Sequence, residues 1–133
     1  MAAGGCGVTR EPFEYAVLRA VPRVDRGEFV NVGVMLYCQA HDFLAARCHI
    51  DAGRLRALDD DVDIDAIEAA LESIRAACAG EPEAGPAGEG PPGPRFRWLA
   101  SPRSTVVQAG PVHTGMTADP GRELDHLLER LVR

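Results

Sequence analysis

The sequence contains no lysine, because all 14 of its Lys and Arg residues are arginine. A Schiff-base lysine, a P-loop lysine and a lysine general base are therefore excluded. Arginine keeps its charge and donates hydrogen bonds in a fixed planar fork. Any recognition of an anion by this chain is therefore expected to use arginine side chains or backbone N–H groups.

Long apolar runs, paired cysteines and an excess of positive charge are also missing. No run approaches the length that spans a membrane, and none of the four cysteines forms a C-x-x-C pair. The segment 1–5 lacks the basic and apolar regions of a secretory signal, so we expect a cytoplasmic protein with reduced thiols. A net charge of -6 disfavours a general nucleic-acid binder.

The length of 133 residues, with 46% hydrophobic residues, is that of one ordinary domain with a core of its own. Residues 1–12 are small and polar, and we predict a flexible N-terminus there. Residues 81–94 are dominated by Gly, Pro, Ala and Glu and predict a flexible connector. Residues 13–133 are thus predicted to form a single α+β domain that contains this connector.

Segments rich in β-formers predict about four to five strands. They are residues 13–21, 29–37 and 43–50, a strand alternating through Phe96, Trp98 and Ala100, and a short strand at 106–108. The longest apolar run, 29–37, is predicted to be the central strand. An antiparallel meander of the first three strands would bring Arg19 close to Asn31.

Strict alternation along these strands predicts two different faces. The even-numbered face is almost purely apolar and is expected to be packed; it comprises Leu18, Val30, Val32, Val34, Leu36, Leu44, Cys48 and Ile50. The other face carries aromatic and arginine side chains, and the fourth predicted strand adds Trp98 to them. The whole set comprises Tyr15, Arg19, Phe29, Tyr37, Arg47 and Trp98. It is either a second core or a partner surface.

Helices are predicted at three places. A short one covers residues 51–58, and a longer one follows the acidic run 59–65, with Asp65 and Glu68 as a capping box and Gly80 as its stop. The last helix begins at Asp119 and Pro120. The predicted architecture is an α+β domain, an antiparallel sheet of about four to five strands with two main helices packed on one face.

Two motifs carry a resemblance to a known family. They are Arg23-x-x-Arg26-Gly27-Glu28-Phe29-Val30-Asn31-Val32-Gly33-Val34 and Ser101-Pro102-Arg103-Ser104-Thr105-Val106-Val107-Gln108. With both, the chain resembles the bacterial domain of unknown function 3037 family. The resemblance implies a small cytoplasmic bacterial protein with no established activity, and a partner of the HipA-like kinase-fold class. The abundant Ala, Gly, Pro and Arg agree with a GC-rich bacterial genome.

The same motifs predict an arginine-lined anion site. Its candidate residues are Arg23, Arg26, Glu28, Asn31, Arg103, Ser104 and Thr105. Guanidinium forks beside hydroxyls and turn N–H groups suit phosphate or carboxylate. The alternative is that the acidic residues of a solvated loop simply pair with Arg23 and Arg26, while Ser-Pro makes a turn. His113, in a loop that Gly115 follows, is the candidate acid–base residue; its alternative is an ordinary loop histidine.

The candidate ligands of a metal site are Cys38, His41, Cys48 and His49. The residue types suit zinc, but the spacing does not, and adjacent strand residues point to opposite faces. No metal and no cofactor are therefore expected. No nucleophile stands in a recognisable catalytic context.

Two functions remain. The favoured one is a non-enzymatic accessory or protein-interaction module, since an aromatic and arginine face exists without a catalytic motif. The alternative is a small enzyme or ligand-binding protein that uses the arginine-lined site for a phosphate- or carboxylate-bearing molecule. The alternative requires both motifs and His113 to meet in one cleft. Homo-oligomerisation is left open.

Overall fold

The structure, a computed structural model, describes residues 9–103 and 105–133. Most of the predicted flexible N-terminus lies outside these residues. The strands are β1 (Glu11–Ala20), β2 (Val30–Cys38), β3 (Phe43–Cys48) and β4 (Val107–Thr117). The helices are α1 (Ala52–Leu58), α2 (Ile64–Ala79), α3 (Pro92–Ala100) and α4 (Pro120–Leu131), with 3-10 turns at Gln39–His41 and Pro82–Gly88.

The four strands form one antiparallel sheet in the order β3-β2-β1-β4. The first three strands make the predicted meander, and Arg19 pairs with Asn31 as expected. The fourth strand returns to pair with β1, so that β3 and β4 are the edges of the described sheet. The α+β class with an antiparallel sheet is therefore confirmed.

A bulge in β2 makes the prediction of a single apolar face wrong. Leu18 pairs with Gly33 and Arg19 pairs with Asn31, so Val32 is the extra residue. The alternation changes phase there, because an inserted residue moves the following side chains to the opposite face. Two cores result. The α2-side core contains Leu18, Val30, Val32, Met35, Leu44, Leu71 and Phe96, and the α4-side core contains Phe13, Val34, Leu36, Leu124 and Leu127.

The two main helices lie on opposite faces of the sheet, which differs from the prediction. Helix α2 packs in the α2-side core together with α1 and α3, whereas α4 packs in the α4-side core. The two cores alternate along β3, where Leu44 faces α2 and Phe43 faces α4. Because β2 presents apolar side chains on both faces, each helix has a surface against which to bury its apolar stripe.

The predicted strand through Phe96, Trp98 and Ala100 is wrong, because this segment is helix α3. Prolines lie in the first helical turn, where their missing N–H groups leave no helical hydrogen bond unmade. Phe96 and Leu99 are three residues apart, so both face the α2-side core, while Trp98 is 55% exposed. Alternation of the three apolar residues Phe96, Trp98 and Ala100 fits a strand equally well.

The helix ends follow the predicted residues with one correction. Gly80 ends α2 with a φ of 71°, and Asp119 caps α4 by accepting a hydrogen bond from the Arg122 N–H at 3.1 Å. The N-cap of α2 is Asp63 and not the predicted Asp65, since Asp63 accepts from the Ala66 N–H at 3.0 Å. A box built on Asp65 would have started the helix two residues too late.

Candidate functional site

The two arginine motifs enter the sheet at the same end. Residues 21–29 join β1 to β2, and the segment before β4 lies beside them, with the Val21 N–H donating to the Val106 carbonyl at 2.7 Å. The guanidinium groups of the first motif are paired within the loop. Arg23 contacts Asp25 at 3.3 Å and Arg26 contacts Glu28 at 3.0 Å. This is the arrangement of the solvated-loop alternative.

The other candidate anion ligands make hydrogen bonds within the protein. Arg103 stacks over the Trp98 ring at 4.2 Å and donates to the Trp98 carbonyl at 2.6 Å. The Thr105 hydroxyl donates to the Val107 carbonyl at 2.6 Å. Asn31 donates through Nδ2 to the Leu131 carbonyl at 3.1 Å and so ties the end of α4 to β2. Ser104 lies outside the described residues.

His113 is not beside these arginines. It lies within β4, opposite Tyr15, with the two rings 5.3 Å apart. Val107, at the start of β4, pairs with Ala20. Their partners on β1, Ala20 and Tyr15, are five residue steps apart, which is about 17 Å. The geometry therefore does not bring His113 into one cleft with Arg26 and Arg103.

A cleft of about 560 Å³ lies between β3 and α2, and two charged residues of its lining, Glu72 and Arg75, are paired with each other. Arg75 donates to Glu72 at 2.6 Å and to Glu81 at 2.9 Å, and these bonds hold the pKa of both carboxyls below the usual range. Within residues 9–103 and 105–133, no group of three or more His, Cys, Asp or Glu residues could hold a metal ion.

The cysteines near this cleft are not activated thiols. The residue Cys48 is exposed, but its sulfur lies against the backbone of β2. A Cβ added to Gly33 would be only 3.1 Å from that sulfur. Burial of that sulfur raises the pKa of the Cys48 thiol to about 11, and burial raises that of Cys78 to about 12. Both thiols are therefore protonated at neutral pH, and the thiolate is the reactive form.

One half of the sheet is open on its α4 side. Helix α4 packs mainly on β2 and β3. Apart from Phe13 and Thr117, which are buried at one end, the side chains of β1 and β4 that point the same way are half-buried or exposed. We call this surface, with the residue before β2, the open half-sheet; it comprises Tyr15, Val17, Arg19, Phe29, Gln108 and His113.

Arg19 is the centre of the open half-sheet. Its guanidinium carbon lies 4.2 Å from the centre of the Phe29 ring, which is 44% exposed. A Cβ on Gly110 would lie 3.0 Å from the same carbon, so the side chain lies flat on β4. Its Nε is buried and has no hydrogen-bond partner in the described part of the chain. The ion pairs found among those residues do not include Arg19.

Gly115 shapes the far end of this surface. A Cβ there would lie 2.7 Å from two ring carbons of Phe13, the buried residue that pairs with Gly115 from β1. We expect Gly115→Ala to lower the free energy of unfolding by about 1–3 kcal/mol, because the Phe13 ring must move. Chemical denaturation checks this value.

Gly27→Ala tests backbone conformation alone, since nothing lies within 4 Å of its Cβ position but its φ is +72°.

The edge strand β4 is also exposed on residues that do not belong to the open half-sheet. Residues 111–114 are all exposed. On the face opposite α4, Val112 is 44% exposed and Met116 is 52% exposed. The sequence did not reveal this edge, because His113 and its neighbours were predicted to be a loop. Strand pairing with β1 shows that they are not.

The predicted aromatic and arginine set is divided by the structure. Tyr15, Arg19 and Phe29 lie together on the open half-sheet. Tyr37 stacks on Phe96 at 5.7 Å in the α2-side core. Arg47 pairs with Asp125 of α4 at 3.1 Å. The set is therefore part core and part surface.

The family model described as "Protein of unknown function (DUF3037)" matches residues 15–132. No curated protein and no solved structure gives a significant match to the chain. Among the described helices, none has both the length and the apolar character to cross a membrane.

Proposed function

The chain belongs to the DUF3037 family of proteins of unknown function, and from this premise we propose that it is a non-enzymatic accessory module. The module binds a protein partner through the open half-sheet. The observation that carries the proposal is Arg19, which lies against the exposed Phe29 ring and takes part in none of the ion pairs found among the described residues. A guanidinium without a carboxylate beside it can accept one from a partner as a charge-assisted hydrogen-bonded pair.

The chemistry of the surface favours a protein as partner. Arg, Tyr and Phe are enriched at interfaces, where rigid side chains lose little entropy on binding. Arg19 is already restrained by the Phe29 ring. The partner is expected to bring a carboxylate to Arg19 and an apolar side chain to Phe29. A cytoplasmic kinase-fold protein, the class that the family resemblance implies, is the first candidate.

The alternative of an arginine-lined anion site has less support. Arg23 and Arg26 are paired with acidic neighbours, and His113 lies about 17 Å along the sheet from Val107, farther still from Arg103 in sequence. A loop of paired charges and a distant histidine do not make a binding cleft. The open half-sheet, in contrast, leaves an arginine and two aromatic rings partly uncovered.

We expect Arg19→Glu to weaken binding of the partner roughly 10- to 100-fold, because it replaces a donor by a repelling carboxylate. The measurement is affinity capture from extract of host cells, followed by titration of the recovered protein. The matched control is Arg54→Glu, the same charge reversal at an exposed position of α1. Phe29→Ala is the second test variant, since it removes the ring without changing charge.

Thermal unfolding of each variant shows whether the fold is retained. The proposal requires one protein that the wild type and the Arg54 variant both retain and that the Arg19 and Phe29 variants release. Equal retention by all four chains contradicts it. So does the absence of any protein retained specifically by the wild type.

A further inference from the structure

We propose that β4 is the interface of a symmetric dimer, in which two copies of the chain join their sheets edge to edge. The partner is a second copy of this chain, and the dimer goes beyond the function proposed above. Each copy contributes four strands to one continuous sheet. Backbone hydrogen bonds between the two β4 strands would hold it together.

The charge of β4 favours a second copy as its occupant. The strand reads VQAGPVHTGMT and contains no Asp, Glu or Arg. With 26% charged residues in the chain, an 11-residue strand would carry about three. Two copies with a net charge of -6 each repel one another, so a close contact between them needs a neutral surface. Strand β4 is such a surface.

The exposure of β4 fits an edge that is covered in an assembly. Natural edge strands are usually short, charged or covered, because unpaired backbone groups otherwise attract another strand. β4 is long, uncharged and exposed at residues 111–114. Its large exposed side chains, Val112 and Met116, point to one face. Two copies would bury both.

The opposite edge, β3, limits the assembly to two copies. It is six residues long, and both α2 and α4 pack against it. Arg47 on β3 is fixed to Asp125 of α4 at 3.1 Å. Because β3 is short and the contact of β4 with β4 is self-complementary, pairing through β4 closes after two copies and does not continue into a filament.

The register follows from Pro111 and from the two apolar side chains. Proline has no N–H to donate, so the pairing is expected to run beyond it, over residues 112–116. Antiparallel pairing with Thr114 on the two-fold axis places Val112 opposite Met116 of the second copy. This register buries the two apolar side chains against each other twice, since cross-strand pairs stabilise a sheet.

The dimer would also enlarge the partner surface. A two-fold axis normal to the sheet puts both α4 helices on the same side. Between them lie β1 and β4 of each copy, a floor on the order of 15–20 Å wide. The floor carries two copies of Arg19 and Tyr15. A groove of this width between two helices would accept an extended or helical segment of the partner.

Sedimentation equilibrium of the purified chain tests the dimer. We expect a concentration-dependent dimer for the wild type and at least a 10-fold weaker one for Val112→Lys, because a lysine at an edge opposes pairing. The control is Val24→Lys, which places the same charge at a 48% exposed valine of the β1–β2 loop. A wild type that stays monomeric at about 0.1 mM contradicts the dimer, as does equal weakening by both variants.

Cysteine cross-linking tests the register. In a Cys6→Ser, Cys48→Ser background, Thr114→Cys is expected to form an intermolecular disulfide on oxidation, because residues facing across a strand pair lie within disulfide range. Val112→Cys is the control, since residue 112 faces residue 116 of the second copy and lies four residues from residue 112 of that copy. Cross-linking of the Val112 variant alone overturns the register. If neither variant cross-links, the β4 interface is overturned. If the dimer forms but Arg19→Glu binds the protein partner as tightly as the wild type does, the result contradicts only the proposed function.

Discussion

Replacement of Phe96 by alanine is expected to lower the free energy of unfolding by about 3–5 kcal/mol. The Phe96 side chain is fully buried and stacks on Tyr37, with ring centres 5.7 Å apart. Its loss removes the transfer free energy of the ring and leaves a cavity between α3 and the sheet. Urea denaturation of the wild type and the variant measures the difference.

Trp98→Ala is the matched control, because it removes a larger ring from the same helix. Trp98 is 55% exposed, and its main contact is the stacked Arg103 at 4.2 Å. A loss of about 1 kcal/mol or less is expected. If the segment alternated as a strand, Phe96 and Trp98 would share a face and cost about the same. Equal losses would therefore contradict helix α3.

The second large effect is expected at Leu124, on the opposite side of the sheet. Leu124→Ala should lower the free energy of unfolding by about 2–5 kcal/mol, because the side chain is fully buried between α4 and β2. His126→Ala, on the exposed side of the same helix, is expected to change it by about 0.5 kcal/mol or less.

This pair of variants tests whether α4 covers its own face of the sheet. A loss within about 1 kcal/mol of zero for Leu124→Ala would mean that α4 is not docked. An undocked α4 would also leave Asn31 without its acceptor, the Leu131 carbonyl. In that case β2 would lose the cover of its α4 side, and no open half-sheet could be defined.

Local signals in the sequence predicted much of the fold. The meander of β1, β2 and β3 followed from apolar runs separated by short polar turns. Gly80 ended α2 because a left-handed residue is needed there, and Asp119 with Pro120 started α4. The two helix ends depend on the conformation of one or two residues, which their own chemistry determines.

The features that were missed depend on contacts distant in sequence. The bulge at Val32 is visible only once β1 is paired with β2. The segment of Phe96 and Trp98 fits two periods, and the position of the sheet beneath it selects the helix. The side of the sheet that α4 covers depends on that same bulge.

Only part of the open half-sheet could be predicted, because its limits also depend on contacts distant in sequence. Arginine and aromatic residues on one face of β1 and β2 were recognisable from alternation, which gave Tyr15, Arg19 and Phe29. Their separation from Tyr37 and Arg47 required the phase change in β2 and the position of α4. The loop arginines Arg23 and Arg26 suggest an anion site because they are charged, but Asp25 and Glu28 pair with them in the same loop.

Histidine footprinting tests the open half-sheet most directly, because the four histidines are exposed at four different places. His41 lies in the turn before β3, His49 follows β3, His126 lies on α4 and His113 lies on the open half-sheet. The Val112→Lys chain, in which self-association is weakened, is treated with diethyl pyrocarbonate in buffer and in host extract. Slower acylation of His113 alone in the extract is the predicted result. Acylation of His113 at an unchanged rate, or equal slowing at all four histidines, would contradict a partner bound to the open half-sheet.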